Sequence, residues 1–394
     1  MSLLELLFYN RGMDLWNELD LLAGYNRLEM QEDRVDTMQS KHSMENIYLS
    51  YATLPNGKKM RLFKSLISSR CKNNCYYCPM RKDSNCQRAK FEAEEYARLI
   101  VNLYRAGIID GAFISSAIED DPVRTQDILI KTLEILRFKM DFRGYLHMKF
   151  MPGLELDQVH HIMFLADRVS LNLEAPNADR IPYLSPDKSA FHQLLDPLRW
   201  TAQIRQQPTT TKNWKERWPS VCTQFVVGGS EESDMELLQT TAYLYRDLHL
   251  QRAYYSPLQP YLGTPMQDHP AIPLKRKVRL YQASFLLRDY GYILEDFQFD
   301  QSAKLPLDKD PKVWWAENHF TDTPLEVNRA DVSQLIRIPG IGEKSARKIV
   351  QLRKIHPFRT ESDFIQAGIR IQHALPFITM DGHKACTQPK LPTF

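Results

Sequence analysis

The sequence predicts an α/β chain built on a parallel β/α barrel, complete or partial, with a helical and hairpin leader before it and a small all-α domain after it. Three observations carry that expectation. Short β-prone runs alternate with helix-period stretches over roughly 200 residues, the pattern of a parallel sheet with crossover helices. Four of the six cysteines crowd into residues 71–86, between a strand signal and a helix signal. The basic charge gathers in residues 325–394, where eleven Lys and Arg face six Asp and Glu, whereas the whole chain carries only +3. Hydrophobic residues at 43% and charged residues at 25% are ordinary for a globular chain of 394 residues and exclude wholesale disorder. No run approaches the ~18 apolar residues of a membrane span, and the start MSLLELLFYNRGMDLW lacks the basic-then-apolar order of a secretion signal. The expected setting is the cytoplasm, at the nucleoid if the cell is prokaryotic, with no membrane partner.

Residues 1–43 read as a helical leader, with Leu15, Leu19 and Leu22 at helical spacing, that packs on the main domain. Residues 44–300 form the expected barrel. It opens with a hairpin across Asn56-Gly57, the pair best suited to a two-residue turn. Strand-like runs follow at 111–115, 145–150, 168–173, 222–227 and 253–256. Helix-like segments at 93–105, 125–139, 157–165 and 234–247 separate them. Residues 301–324, rich in Asp, Lys and Pro around Trp314-Trp315, read as an ordered linker. Residues 325–394 read as two helical hairpins, the second less regular.

Cys71-x3-Cys75-x2-Cys78 stands on a polar loop, with Tyr77 immediately before the last thiol. Three thiolates on one tight loop can bind three irons of a 4Fe-4S cluster and leave the fourth iron open to a non-protein ligand. The competing reading is a structural zinc site closed by Cys86. Cys222 heads a buried strand and Cys386 stands apart. Ser170, Asn172 and Glu174 alternate along one strand and so share a face. His147 and Lys149 share another; inside a barrel, Lys149 would suit a carboxylate or substrate contact.

The cysteine motif and the strand ends after it resemble the radical S-adenosylmethionine superfamily. That resemblance implies a cluster whose open iron chelates the methionine moiety and whose electron splits the sulfonium to a 5'-deoxyadenosyl radical. It implies that Ser115 and Ser116, where relatives carry Gly-Gly-Glu, approach the methionine amino group. It implies that Ser170, Asn172 and Glu174 meet the ribose, that Gly228 and Gly229 lie by the adenine, and that Tyr77 and Lys149 belong to the same pocket.

Ile338-Pro339-Gly340-Ile341-Gly342, followed by a helix-period run, resembles a helix-hairpin-helix DNA-binding motif. In such a turn the glycines open the backbone onto a helix N-terminus, whose free N–H groups suit a phosphate. Gly340, Ile341, Gly342, Lys344, Ser345 and Lys348 are the residues expected at nucleic acid, bound without reading base edges. Barrel and tail together resemble the DNA modification or repair radical S-adenosylmethionine proteins. The implied activity is modification or repair of a nucleotide that is single-stranded, damaged or flipped out. The implied partners are DNA and a reductase that donates electrons. Two other readings stand beside it: an enzyme that modifies RNA or tRNA, and a non-enzymatic redox sensor with a structural cluster. The groups that react with substrate are not assigned.

Overall fold

A computed structural model describes residues 12–25, 49–53, 58–188, 190–207 and 214–384. The chain divides into two compact units, residues 1–232 with 243–272, and residues 233–242 with 273–394.

The first unit carries a seven-stranded sheet whose spatial order is its chain order: β1 Leu49–Thr53, β2 Lys59–Leu66, β3 Gly111–Ser115, β4 Tyr145–Lys149, β5 Arg168–Glu174, β6 Ser220–Val227 and β7 Arg252–Pro257. β1 runs antiparallel to β2, as expected of a hairpin, although its turn lies outside the described residues. All later pairings are parallel. Six parallel strands in sequential order make a half-barrel, so the partial alternative holds. The helix α1, Gly12–Tyr25, buries Leu19 and Leu22 and packs on β2 as the leader reading expects; the rest of residues 1–43 lies outside the described residues.

The crossover helices start where their sequence tells them to. α2, Ala93–Arg105, places Glu94 and Glu95 in its first turn and buries Tyr96, Ile100 and Leu103 along one stripe. α3, Pro122–Glu134, has Pro122 at its first turn and Asp121 as cap, whose carboxylate accepts from the N–H of Val123 and Arg124. It runs on through a π-helical turn, Ile135–Lys139. α4 is Leu156–Leu165; α5, Ile181–Leu184, and α6, His192–Gln206, escaped the sequence reading.

Strand register sets the inward face. Lys64 pairs with Phe113 and Phe113 with His147, Lys149 pairs with Ser170 and Ser170 with Cys222, and Asn172 pairs with Gln224 and Gln224 with Tyr254. Partners in register point to the same side of a sheet, so these three rows line the lumen. β5 then breaks register between Asn172 and Glu174, and Glu174 takes φ 65°. The expectation that Ser170, Asn172 and Glu174 share a face therefore fails at its last member: period two ends at the irregularity.

In the second unit, α7, Asp234–Arg246, contributes its first nine residues. α8 is Leu274–Asp289 and α9 is Pro311–Phe320. The segment expected as a linker thus carries a helix, and Ala316 belongs to the tail's apolar core together with Leu335, Ile338, Ile341, Ala346 and Ile349. Asp310 caps α9 through the N–H of Lys312 and Val313, with Pro311 at the first turn. After these come β8 Leu325–Glu326, α10 Val332–Leu335, α11 Glu343–Leu352, α12 Glu361–Gln366, β9 Ile378–Met380 and β10 His383–Lys384. The last three strands form a small sheet in the order β10-β9-β8, an addition to the expected helices. The expected second hairpin does not form, because Gly368 at φ 65° ends α12 and turns plus a short 3-10 segment, Leu375–Phe377, replace its second helix.

Candidate active site and nucleic-acid interface

The cysteines stand on a loop leaving the C-terminal end of β2, the end where parallel barrels place chemistry. The loop is closed at its neck. Ser69 donates its N–H to Ala89 O (3.0 Å), Phe91 to Ile67 O (2.8 Å), and Ser68 bridges Lys90. Inside, the guanidinium of Arg88 donates to four carbonyls, those of Ser69 (2.7 Å), Met80 (2.7 Å), Arg81 (2.7 Å) and Ser84 (3.4 Å). Arg88 was not anticipated; its place in a basic run gave no signal.

A second segment seats the loop from outside. Tyr76 N–H donates to Leu184 O (2.8 Å), Asn74 N–H to the Asp187 carboxylate (2.5 Å), and Cys75 Sγ lies 3.1 Å from Ser185 Oγ. Lys188 Nζ ion-pairs with Glu174 Oε1 at 3.1 Å, with both side chains largely buried. Burial alone would lower the Lys188 ammonium; the Cys75 and Glu174 charges beside it reverse that and hold it above the ordinary lysine value. Burial pushes the thiols of Cys75 and Cys78 up, and Lys188 pulls both back toward the thiolate. Burial and then the Glu174 carboxylate raise the Tyr77 phenol. The register break thus turns Glu174 from the lumen to the cysteine loop, where it joins Tyr77 and Lys188, while its Oε2 is buried without a hydrogen bond.

The donor set fits an iron-sulfur cluster. Three thiols act on one another electrostatically beside a cationic Lys188. Among the described residues no three His, Cys, Asp or Glu side chains are grouped to hold a single metal ion. A cluster makes no such demand, because each thiolate binds a different iron. Cys86 lies farther along the loop, its N–H on Ser84 Oγ (3.2 Å).

The other strand-end residues divide. Ser170, Asn172 and Lys149 line one lumenal cavity. Ser115 is buried, and its carbonyl accepts from Ile67 N–H (2.9 Å), so it knits β3 to the start of the loop. Ser116 Oγ donates to Ala117 O (2.8 Å). Glu119, three residues after Ser116, is held by Lys90 (2.8 Å) and Arg70 (3.3 Å). Gly228 takes φ 87° and donates its N–H to Glu232 Oε1 (2.6 Å). A Cβ on Gly229 would meet Leu184 Cδ2 at 2.6 Å, so its missing side chain makes room for α5. The buried Glu232, which also accepts from Ser230 N–H (3.1 Å), fixes this turn and was not anticipated.

In the tail, the chain turns between α10 and α11 through Gly340 at φ 80°. Gly342 is the cap of α11 at φ −100°, and no side chain caps its N–H groups. The turn's left-handed residue is therefore Gly340. Ile341 is fully buried and its N–H donates to Ile338 O (3.1 Å), which corrects its expected role: it anchors the turn and does not reach a phosphate. Lys344 and Lys348 are exposed and Ser345 is half-buried, while Arg347 ion-pairs with Glu343 (2.7 Å). Lys312 on α9 donates Nζ to Ile341 O (2.7 Å) over the face of Tyr290, and burial pulls its ammonium down to about 8 against the Asp310 carboxylate.

Residues 322–367 match the helix-hairpin-helix motif. No curated protein matches the chain. Among solved structures, HydG, a maturase of the [FeFe]-hydrogenase, is similar at 16% identity and TM-score 0.45, over 57% of this chain and 49% of its own. Methylornithine synthase, PylB, is similar at 13% identity and TM-score 0.45, over 57% and 61%. TsrM from Kitasatospora setae, a radical S-adenosylmethionine methyltransferase solved with cobalamin and a [4Fe-4S] cluster, is similar at 13% identity and TM-score 0.40, over 62% and 45%. The chain spans about half the length of the first of these.

Proposed function

We propose that this chain is a radical S-adenosylmethionine enzyme acting on a nucleotide of a nucleic acid, DNA by preference, held through its helix-hairpin-helix tail. The observation that carries the reading is the cysteine loop at the C-terminal end of a parallel half-barrel, with the Lys188–Glu174 pair beside its thiols. Cys71, Cys75 and Cys78 would hold a 4Fe-4S cluster, which when bound supplies the electron that cleaves S-adenosylmethionine to a 5'-deoxyadenosyl radical. Arg88 gathers the loop's carbonyls and so fixes its course around the thiols. Lys188 stabilises the thiolates, and Asn172 and Ser170 offer hydrogen bonds from the lumen wall to the cofactor. The hairpin contributes phosphate contacts from the uncapped start of α11 and from Lys344, Ser345 and Lys348, which favours any sequence equally.

The test is anaerobic reconstitution with iron and sulfide, reduction by dithionite, and chromatographic assay of 5'-deoxyadenosine from S-adenosylmethionine alone, with single- and double-stranded DNA, and with structured RNA. Formation of 5'-deoxyadenosine that rises with DNA supports the whole reading. A rise with RNA alone transfers the substrate to RNA. A reconstituted cluster that leaves S-adenosylmethionine intact under every condition overturns the enzyme.

A further inference from the structure

The cysteine loop is a basic island outside the tail. Residues 70–90 hold six Lys and Arg against one Asp, whereas residues 1–324 as a whole are net acidic. Four of those cations are taken up within the fold: Arg88 by the loop's carbonyls, Arg70 and Lys90 by Glu119 (3.3 and 2.8 Å), and Arg81 by Asp83 (3.8 Å). Lys72 and Lys82 remain. Both are exposed, and among the described residues no side-chain partner holds either. The backbone groups them, because Lys82 N–H donates to Asn73 O (2.9 Å) and so lays the returning limb of the loop beside Lys72.

Aromatic surface stands next to this pair. The hydrogen bond from Tyr76 N–H to Leu184 O seats α5 on the same loop, and Tyr183, one residue earlier on α5, is 48% exposed. Burial and, behind it, the Cys78 thiol raise the Tyr261 phenol, so the turn after β7 also reaches the loop, with Leu262 almost wholly exposed at its tip. A lone exposed ring is ordinary on a protein surface. A ring beside unpaired lysines is the combination that holds an unpaired strand, since cations track the phosphates and the ring stacks a base of any kind.

We propose that the outer face of the cysteine loop is a platform for single-stranded nucleic acid, on which Lys72 and Lys82 hold phosphates and Tyr183 stacks a base. An acidic protein would satisfy the lysines and give Tyr183 no role, and a duplex keeps its bases stacked on one another. The loop leaves β2 at the end where parallel barrels place chemistry, so a strand on this face comes to the mouth with its bases already free. The inference rests on the nucleic-acid reading above and adds to it a choice of strand: the tail's backbone contacts serve single strand and duplex alike, and the platform serves the single strand.

The test titrates the full chain, cluster-free and reconstituted, into a fluorescein-labelled oligonucleotide, single-stranded or duplex, and reads anisotropy across a potassium chloride series. Lys72→Ala/Lys82→Ala should lower the salt slope of single-strand binding by about 1.4, because each phosphate contact on a single strand contributes about 0.7, and leave the duplex slope as it was. Tyr183→Ala should weaken single-strand binding about tenfold at every salt concentration with the slope unchanged, and Tyr183→Phe should restore it. In the parent chain, ultraviolet cross-linking of a strand carrying 5-bromodeoxyuridine should label residues 72–82 or Tyr183. Variants that bind as the parent does, or cross-links confined to the tail, overturn the platform and leave the nucleic-acid reading standing. Failure of the parent to bind either form at low salt removes both. Poly-L-glutamate that displaces the strand and binds Tyr183→Ala as tightly as the parent would assign the face to an acidic protein and overturn the platform. If a variant does not fold, the cross-links of the parent chain decide.

Discussion

Lys188→Met isolates what holds the cysteine loop in its electrostatic setting. In the parent chain Lys188 Nζ stands 3.1 Å from Glu174 Oε1, and the two side chains are 12% and 5% exposed. At an effective dielectric of about 20 the attraction at that distance is roughly 5 kcal/mol before desolvation is subtracted. Removing one partner leaves the other charge buried, so the variant should lose about 3–5 kcal/mol of unfolding free energy. Lys188→Met/Glu174→Gln removes both charges and should recover most of that loss, since the cost arises from the orphaned carboxylate more than from the lost attraction. Urea unfolding of the cluster-free protein, followed by circular dichroism, measures both. Iron uptake on reconstitution should also slow in the single variant, because Lys188 favours the thiolates of Cys75 and Cys78. A single variant that loses under about 1 kcal/mol, or a double variant no better than the single, would refute the view that this is a desolvated pair.

Three further outcomes are expected. Cys71→Ala, Cys75→Ala and Cys78→Ala should each abolish cluster absorbance while Cys86→Ala retains its iron, measured per chain after reconstitution; iron loss in Cys86→Ala would favour a closed site. Gly340→Val should lower the melting temperature more than Gly342→Val, because it strains a left-handed residue by about 1–2 kcal/mol and brings its Cβ within 3.1 Å of His373, whereas Gly342→Val should mainly weaken nucleic-acid binding. Lys312→Met should remove a pH slope. The parent's Lys312 gives up its proton near 8 and the unfolded chain's lysine only near 10, so the unfolded state binds the extra proton between them and stability climbs as pH rises through about 8 to 10. Unfolding free energies across that window should be flat at this position in the variant.

Much of the barrel was legible because periodicity reports burial directly. Strand β3 and helix α2 fall on the residues the pattern predicts, Gly111–Ser115 and Ala93–Arg105. The linker reading failed for the opposite reason. Asp310-Pro311 is a helix-start signal, but the polar composition around it masked a face that buries Trp315 and Ala316. A cut after Thr323 would therefore strip α9 of the core it packs into, and a cut before Pro273 would part residues 273–394 from Ser233–Ala242, which belong to the same unit. At the site, local spacing gave the three cysteines and the lumenal Ser170 and Asn172. It could not give Glu174's turn toward Lys188, because alternation says nothing about where a strand breaks register. Lys188 and Lys312 act on loops distant in sequence, a relation that no short window of residues contains, and Arg88 acts within its own loop through peptide carbonyls, which carry no residue signature.

The Arg88 clamp ties the spacing of the thiols to a residue that is itself no ligand. A single guanidinium gathers carbonyls from Ser69, Met80, Arg81 and Ser84, on both sides of Cys71, Cys75 and Cys78, so the course of the cysteine loop is written in one cation as much as in the cysteines. Two chains with the same cysteine spacing could then differ in how firmly they hold the loop, according to what stands at this one position.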